Sequence, residues 1–265
     1  MEIDEITPEK GERVIVLGSS RSGKSVLADH IHFNIVKSRP LSEILLLDTK
    51  PRFRAEIERY GPRLRLVRNA DHHYTSWEKG PIMPASYRHD INIPTLKPYW
   101  KPDDPCRTVI LQTERDHERA QMLELADTQW FEIRKRGADR VLRVNEMLDF
   151  YYGNGVCVSS RHNVPLKVNR AGGERGFSGI YESQRTRGMP LQLIEEATEI
   201  LLFHLKYEDD MKFLWQNGVP RDVYPPKDMP YVFRRITTSP GGNAKDHGLF
   251  RLTPDPAYLA QLSDT

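Results

Sequence analysis

The sequence predicts an α/β fold in which a mainly parallel central sheet is flanked by helices. Two observations carry this. Apolar runs of strand length alternate with longer segments of helical period, the pattern of parallel strands joined by covering helices. A glycine- and serine-rich segment, residues 18–25, lies directly between the first such run and the first amphipathic stretch, where a tight strand-to-helix turn belongs.

The elements follow in order. Residues 13–17 form the first strand, and the helix after it places Leu27, Ile31 and Ile35 on one face before Pro40 stops it. Residues 44–48 are the second strand. Residues 52–60 are helical, end at Gly61-Pro62, and lead into an alternating strand over 63–68. From 69 to 106 the periodicity disappears and prolines punctuate the chain, so this stretch is expected to be an irregular insertion or long functional loop. A strand over 108–111 precedes a helix over 116–136, in which Leu123, Ala126, Trp130 and Ile133 share a face and Gly137 closes the end. A short strand over 141–144, a short helix over 165–170, a strand over 177–182, a helix over 191–197 and a strand over 200–205 complete one domain, residues 1–220. Residues 221–265 are expected to add a β-ribbon, 231–236 with 249–252, and a tail packed on the same domain.

Composition narrows the classes. With 39 Lys+Arg against 37 Asp+Glu the formal charge is +2, so contact with nucleic acid requires a local patch rather than a basic coat. Cys106 and Cys157 stand apart without a CxxC or His-rich partner, which argues against a disulfide framework or structural zinc and for a reducing, cytoplasmic setting. No apolar run approaches the roughly 18–20 residues of a membrane span, and the acidic start, Met1 to Glu5, is unlike a signal peptide. Asp71-His72-His73 and the other histidines lack metal-ligand spacing.

Gly18-Ser19-Ser20-Arg21-Ser22-Gly23-Lys24-Ser25 fits the phosphate-loop pattern G-x-x-x-x-G-K-[ST], in the required context after a strand and before a helix. Gly18 permits the sharp exit from the strand, and Gly23 lets backbone N–H groups approach phosphate oxygens at the positive end of the helix. Lys24 is placed for the β and γ phosphates of ATP, and Ser25 for Mg²⁺.

Hydrolysis also needs a carboxylate that aligns the attacking water. Two strands end in one: residues 109–114 in Glu114, and residues 141–146 in Asn145-Glu146. The second is favoured, because a carboxylate at the C-terminal edge of a strand faces the phosphates and the paired polar residues divide two jobs. Glu146 is then the base or water-orienting group. Asn145 meets the Mg²⁺ shell with a neutral amide. Downstream, Ser183-Gln184-Arg185 leaves the strand over 177–182, and Gln184 is placed to sense the γ-phosphate or the water.

Together, Gly18 to Ser25, the strand-end Asp48-Thr49-Lys50-Pro51, Asn145-Glu146, and Ser183-Gln184-Arg185 followed by Pro190 and another apolar strand resemble the FtsK/HerA superfamily of DNA-pumping ATPases. The small genome-packaging ATPases of tailless and phi29-like phages are similar in size, and the resemblance spans about residues 10–220. It implies a RecA-like sheet with an added catalytic Glu, a homo-oligomeric ring, ATP hydrolysis completed by an arginine from the neighbouring subunit, and double-stranded DNA as the track. A viral portal or capsid vertex is the implied docking partner, in host cytoplasm or virion. Glu146 carries the Walker B glutamate, Gln184 the sensor, and Asn145 stands where the family has Asp. Arg170 and Arg175, with Arg161 behind them, are the arginine-finger candidates.

For the DNA grip the candidates are Lys50, Arg52 and Arg54, just beyond the second strand, since Lys and Arg hold phosphates without regard to sequence. Arg134, Lys135, Arg136 and Arg140 form a rival cluster, otherwise explained as cations at a helix C-terminus. Two other readings stay open: a P-loop kinase or phosphotransferase acting on a metabolite, and a nucleotide-gated assembly protein with slow hydrolysis. A kinase needs an arginine-rich lid, whereas residues 69–106 contain only Arg88.

Overall fold

The computed structural model describes residues 6–49, 64–68, 73–76, 83–88, 108–112, 116–132, 139–150, 162–227, 229–238 and 244–253. One 11-stranded sheet organises them, in the order β11-β10-β9-β1-β8-β7-β2-β6-β3-β4-β5. Its parallel block consists of β9 (Glu199–Leu202), β1 (Arg13–Leu17), β8 (Phe177–Ser183), β7 (Arg140–Asn145), β2 (Glu43–Asp48), β6 (Thr108–Gln112) and β3 (Leu64–Arg68). β1 and β2 are near-continuous apolar runs, as strands covered on both faces must be.

Side-chain alternation sorts the block into two cores. On one face Val14, Val16, Ile44 and Val141 pack under α1 (Lys24–Ser38), whose Leu27, Ile31 and Ile35 are fully buried, as the sequence spacing predicts. On the other face Leu17, Leu45, Leu142 and Tyr181 pack against α2 (Asp116–Ala126), α3 (Val164–Arg175) and α4 (Leu191–Glu195). Trp130 is buried in a π-helical turn, Asp127–Phe131, where a continuous α-helix is expected from 116 to 136; residues 133–136 lie outside the described residues.

The expected irregularity of 69–106 is corrected in part. His73–Ser76 (β4) and Met83–Arg88 (β5) are antiparallel strands extending the sheet beyond β3. Pro84 hides β5 from a periodicity count, yet the outermost strand is where a sheet tolerates proline. α3 runs to Arg175 rather than stopping near 170, through Gly173, which passes close to Gly11; a side chain there would crowd Arg13. Close helix–loop approach outweighs glycine's poor helix propensity here. A further helix, α5 (Glu208–Gln216), opens on three acids suited to a helix N-terminus and buries Met211 and Leu214. The C-terminal ribbon, β10 (Val232–Thr238) with β11 (Ala244–Arg251), joins the sheet antiparallel to β9. Lys50, Arg52, Arg54, Glu114, Arg161, Cys106 and Cys157 lie outside the described residues.

Candidate functional site

All the phosphate-loop residues gather at the C-terminal edge of the parallel block. Gly18 N–H donates to the Ser183 carbonyl (3.1 Å) and Ser19 N–H to the His204 carbonyl (2.8 Å), so the loop leaves β1 anchored to the ends of its two neighbours. A Cβ on Gly18 would stand 2.6 Å from both the Phe203 Cβ and the Ser22 Oγ. Gly23 has φ +103°, and a Cβ there would meet the Tyr231 ring at 2.6 Å. Only glycine satisfies either position. Arg21 is also left-handed (φ 63°), bending the loop so that its N–H groups can face inward.

α1 then begins at Lys24 with no side-chain cap, so the N–H groups of its first turn are not taken by a capping side chain. Lys24 and Ser25 are buried, and the Ser22 hydroxyl is buried with no hydrogen-bond partner among the described residues. Uncapped helix donors, an unsatisfied hydroxyl and a lysine in one cradle suit an anion such as a nucleotide phosphate.

Across the sheet edge, β7 ends in Asn145 and turns at Glu146. Glu146 is 5% exposed, and its φ of 66° lies in a region that costs a non-glycine residue of order 1–3 kcal/mol. The turn is fixed by Asp149 N–H donating to the Glu146 carbonyl (3.1 Å), and Thr49 at the end of β2 bonds the Asp149 carboxylate. The Glu146 side chain accepts from the Gln184 N–H at 3.1 Å, so the two residues assigned as base and sensor are in contact. Asn145 Nδ2 donates to Asp48 Oδ1 at 2.7 Å, its register partner on β2.

The loop after β8 is held from below. Buried Asp210 accepts N–H bonds from Thr186 (2.9 Å) and Arg187 (3.1 Å) and the Thr186 hydroxyl (3.0 Å), and pairs with Arg185 at 3.3 Å. The Arg185 guanidinium lies 4.1 Å above the Tyr207 ring centroid. Beneath the phosphate loop, Arg143 of β7 pairs with Asp29 of α1 (2.6 Å) and Glu182 of β8 (2.8 Å), all three buried. One guanidinium thus ties the helix of the phosphate loop to the strands carrying Glu146 and Gln184.

Arg170 and Arg175 do not join this cluster within the chain. Both are exposed; Arg170 bonds the Gln192 side chain, and Arg175 lies over Phe131 just before β8 starts, at the sheet end opposite the phosphate loop. The roles of Asp210 and Arg143 were not legible in the sequence, because each depends on partners more than twenty residues away. Asp48 stands in the strand-end run Asp48-Thr49-Lys50-Pro51, and it ends β2 at the level where Asn145 ends β7.

No protein-family model matches the chain, and no curated protein matches it in sequence. Solved structures do. The DNA-packaging ATPase B204 of Sulfolobus turreted icosahedral virus superposes with TM-score 0.55 at 14% identity, over 93% of this chain and 100% of that one. B204 of Sulfolobus turreted icosahedral virus 2, bound to ATP-γS, matches with TM-score 0.52 at 14% identity, over 96% and 100%. VirB4 of Thermoanaerobacter pseudethanolicus gives 0.61 at 10% identity, over 98% and 94%. At these identities the likeness shows the fold alone, a RecA-like P-loop fold with a mainly parallel sheet and flanking helices.

Proposed function

We propose that the protein is an ATP-driven double-stranded DNA translocase of the genome-packaging kind, working as a homo-oligomeric ring. The observation that carries the reading is the Glu146–Gln184 contact beside a complete phosphate loop, in a fold shared with packaging ATPases. ATP phosphates would lie along the loop 18–25, with Lys24 at the β and γ phosphates. Glu146, held by the Gln184 N–H, orients a water and takes up its proton as the γ-phosphoryl group leaves. An arginine of a neighbouring subunit, Arg170 or Arg175, would stabilise charge that develops only in the transition state.

Among the described residues no group of three or more His, Cys, Asp or Glu side chains could hold a metal ion. Magnesium fits the donors at hand: the Ser25 hydroxyl, the Asn145 amide oxygen and the Asp48 carboxylate are hard oxygens, and the ion is commonly held by one or two protein groups plus phosphates. When bound it would neutralise phosphate charge. Among the described residues no helix is long and apolar enough to cross a membrane.

The test is ATP turnover of the purified protein with and without duplex DNA of unrelated sequences. Stimulation by every duplex, and loss of turnover in folded Lys24→Ala, is expected. Turnover indifferent to DNA would sink the translocase reading, and a slow rate would then favour a nucleotide-gated assembly protein, to which the neutral Asn145 also points.

A further inference from the structure

Tyr231, the residue before β10, stands where the C-terminal ribbon meets the phosphate loop. Its N–H donates to the Ser22 carbonyl (2.8 Å), and its own carbonyl accepts from the Leu252 N–H (2.8 Å), so its backbone is pinned between the loop and the residue after β11. A φ of 63° keeps it left-handed, a conformation that non-glycine residues hold at a cost and that gathers at ligand clamps. The ring lies against Gly23, where a Cβ would stand 2.6 Å from Tyr231 Cδ1. Tyr231 packs against the core under α1 and is only half-buried.

The order of the strands sets which end of a nucleotide reaches this ring. The sheet runs β10-β9-β1-β8-β7, and the phosphate loop leaves β1 in the middle. Glu146 and Gln184, the residues at the γ-phosphate in the reading above, follow β7 and β8 on one side of β1. A triphosphate laid across the loop with its γ end toward them carries its nucleoside to the other side. There β10 runs antiparallel to β9, so its first residues share the sheet edge of the phosphate loop, and Tyr231 directly precedes them. We infer that the Tyr231 ring is the platform on which the nucleobase stacks; the inference rests on the nucleotide-binding reading and adds to it the residue that distinguishes a nucleotide from bare phosphate. Every base offers a π face, so stacking holds a nucleobase without reading its edge. The ring is needed for this, and the hydroxyl is not.

Calorimetry on the purified full chain with magnesium compares ATP with inorganic tripolyphosphate, which has three phosphates and no base. The parent should bind ATP the more tightly. Tyr231→Asn, which tolerates a left-handed backbone while removing the ring, should weaken ATP binding by ~5- to 150-fold and leave tripolyphosphate binding unchanged. GTP should lose as much as ATP, and Tyr231→Phe should bind all three as the parent does. Equal losses for ATP and tripolyphosphate would make Tyr231 a shaper of the loop and overturn the inference, as would undiminished ATP binding by folded Tyr231→Asn. A measurement on the parent guards against a variant that fails to fold: after irradiation with bound 8-azido-ATP the labelled peptide should contain Tyr231, and labelling confined to other residues overturns the inference. A parent that binds neither ATP nor tripolyphosphate removes the nucleotide site itself; a parent that binds both, with no loss in the variant, removes only the base platform.

Discussion

The Glu146 carboxylate accepts a 3.1 Å hydrogen bond from the Gln184 N–H, although 38 residues separate them in the chain. Parallel pairing of β7 with β8 brings the two strand ends side by side, and the left-handed turn at Glu146 swings its side chain toward that N–H. A backbone donor holds the carboxylate without demanding any particular side chain at position 184. The residue that would meet the γ-phosphate and the residue that would align the water therefore move together.

Glu146→Gln should retain ATP binding and lose turnover by ~10²–10⁴, since the amide keeps shape and the Gln184 contact but cannot take a proton. Equilibrium binding and steady-state hydrolysis on the same preparation check this. Glu114→Gln should behave as the parent; if it is the inactive variant instead, the base lies at the end of β6 rather than β7.

Arg143→Met should cost stability out of proportion to its size. It removes the guanidinium that pairs the buried carboxylates of Asp29 and Glu182, and removing one partner of such a network typically costs ~3–5 kcal/mol. Denaturant unfolding measures it. Adding Asp29→Asn and Glu182→Gln should recover part of the loss, and a deficit below ~1 kcal/mol in the single variant would show that the network holds little.

How much of this was legible in the sequence varies with the range of the interaction. The phosphate loop, its strand and the Leu27, Ile31 and Ile35 face depend on neighbours a turn away, and all stand where spacing places them. Strand ends fall within a residue of the apolar runs, with β7 ending at Asn145 and β8 at Ser183. Features set by distant partners were not legible: the Asp210 brace reaches back across 24 residues to Thr186, and the Asp48–Asn145 bond spans 97. Element ends failed where tertiary packing overrides local preference, as at Gly173 in α3, or where a sheet edge tolerates Pro84.

A shared active site predicts complementation. Arg170 bonds the Gln192 side chain and Arg175 lies over the Phe131 ring; in the proposed ring, either would act on a neighbour's site. Loss of the acting arginine should reduce turnover by ~10³ or more with ATP binding intact. Mixed with Glu146→Gln subunits, the arginine variant should regain activity where an intact arginine meets an intact Glu146. No rescue for either arginine, with subunit exchange confirmed, would argue for a self-contained site.

The DNA grip is expected from Lys50, Arg52 and Arg54, which lie outside the described residues directly after Asp48 and Thr49 at the end of β2. A net charge of +2 gives little global attraction, so sequence-independent binding must come from a local cluster, and counterions released from DNA phosphates make it salt-dependent. Asp48 ends β2 beside Asn145, and Thr49 bonds the Asp149 carboxylate, whose N–H fixes the turn at Glu146. Changing all three to Ala should flatten the salt dependence of DNA binding and uncouple hydrolysis from DNA, while DNA-free turnover stays near the parent's, because none of the three is assigned to the phosphate site. Binding isotherms over a salt series and turnover with duplex DNA decide it: a triple variant that binds and responds like the parent moves the grip elsewhere, with the cluster Arg134, Lys135 and Arg136 next to be tested.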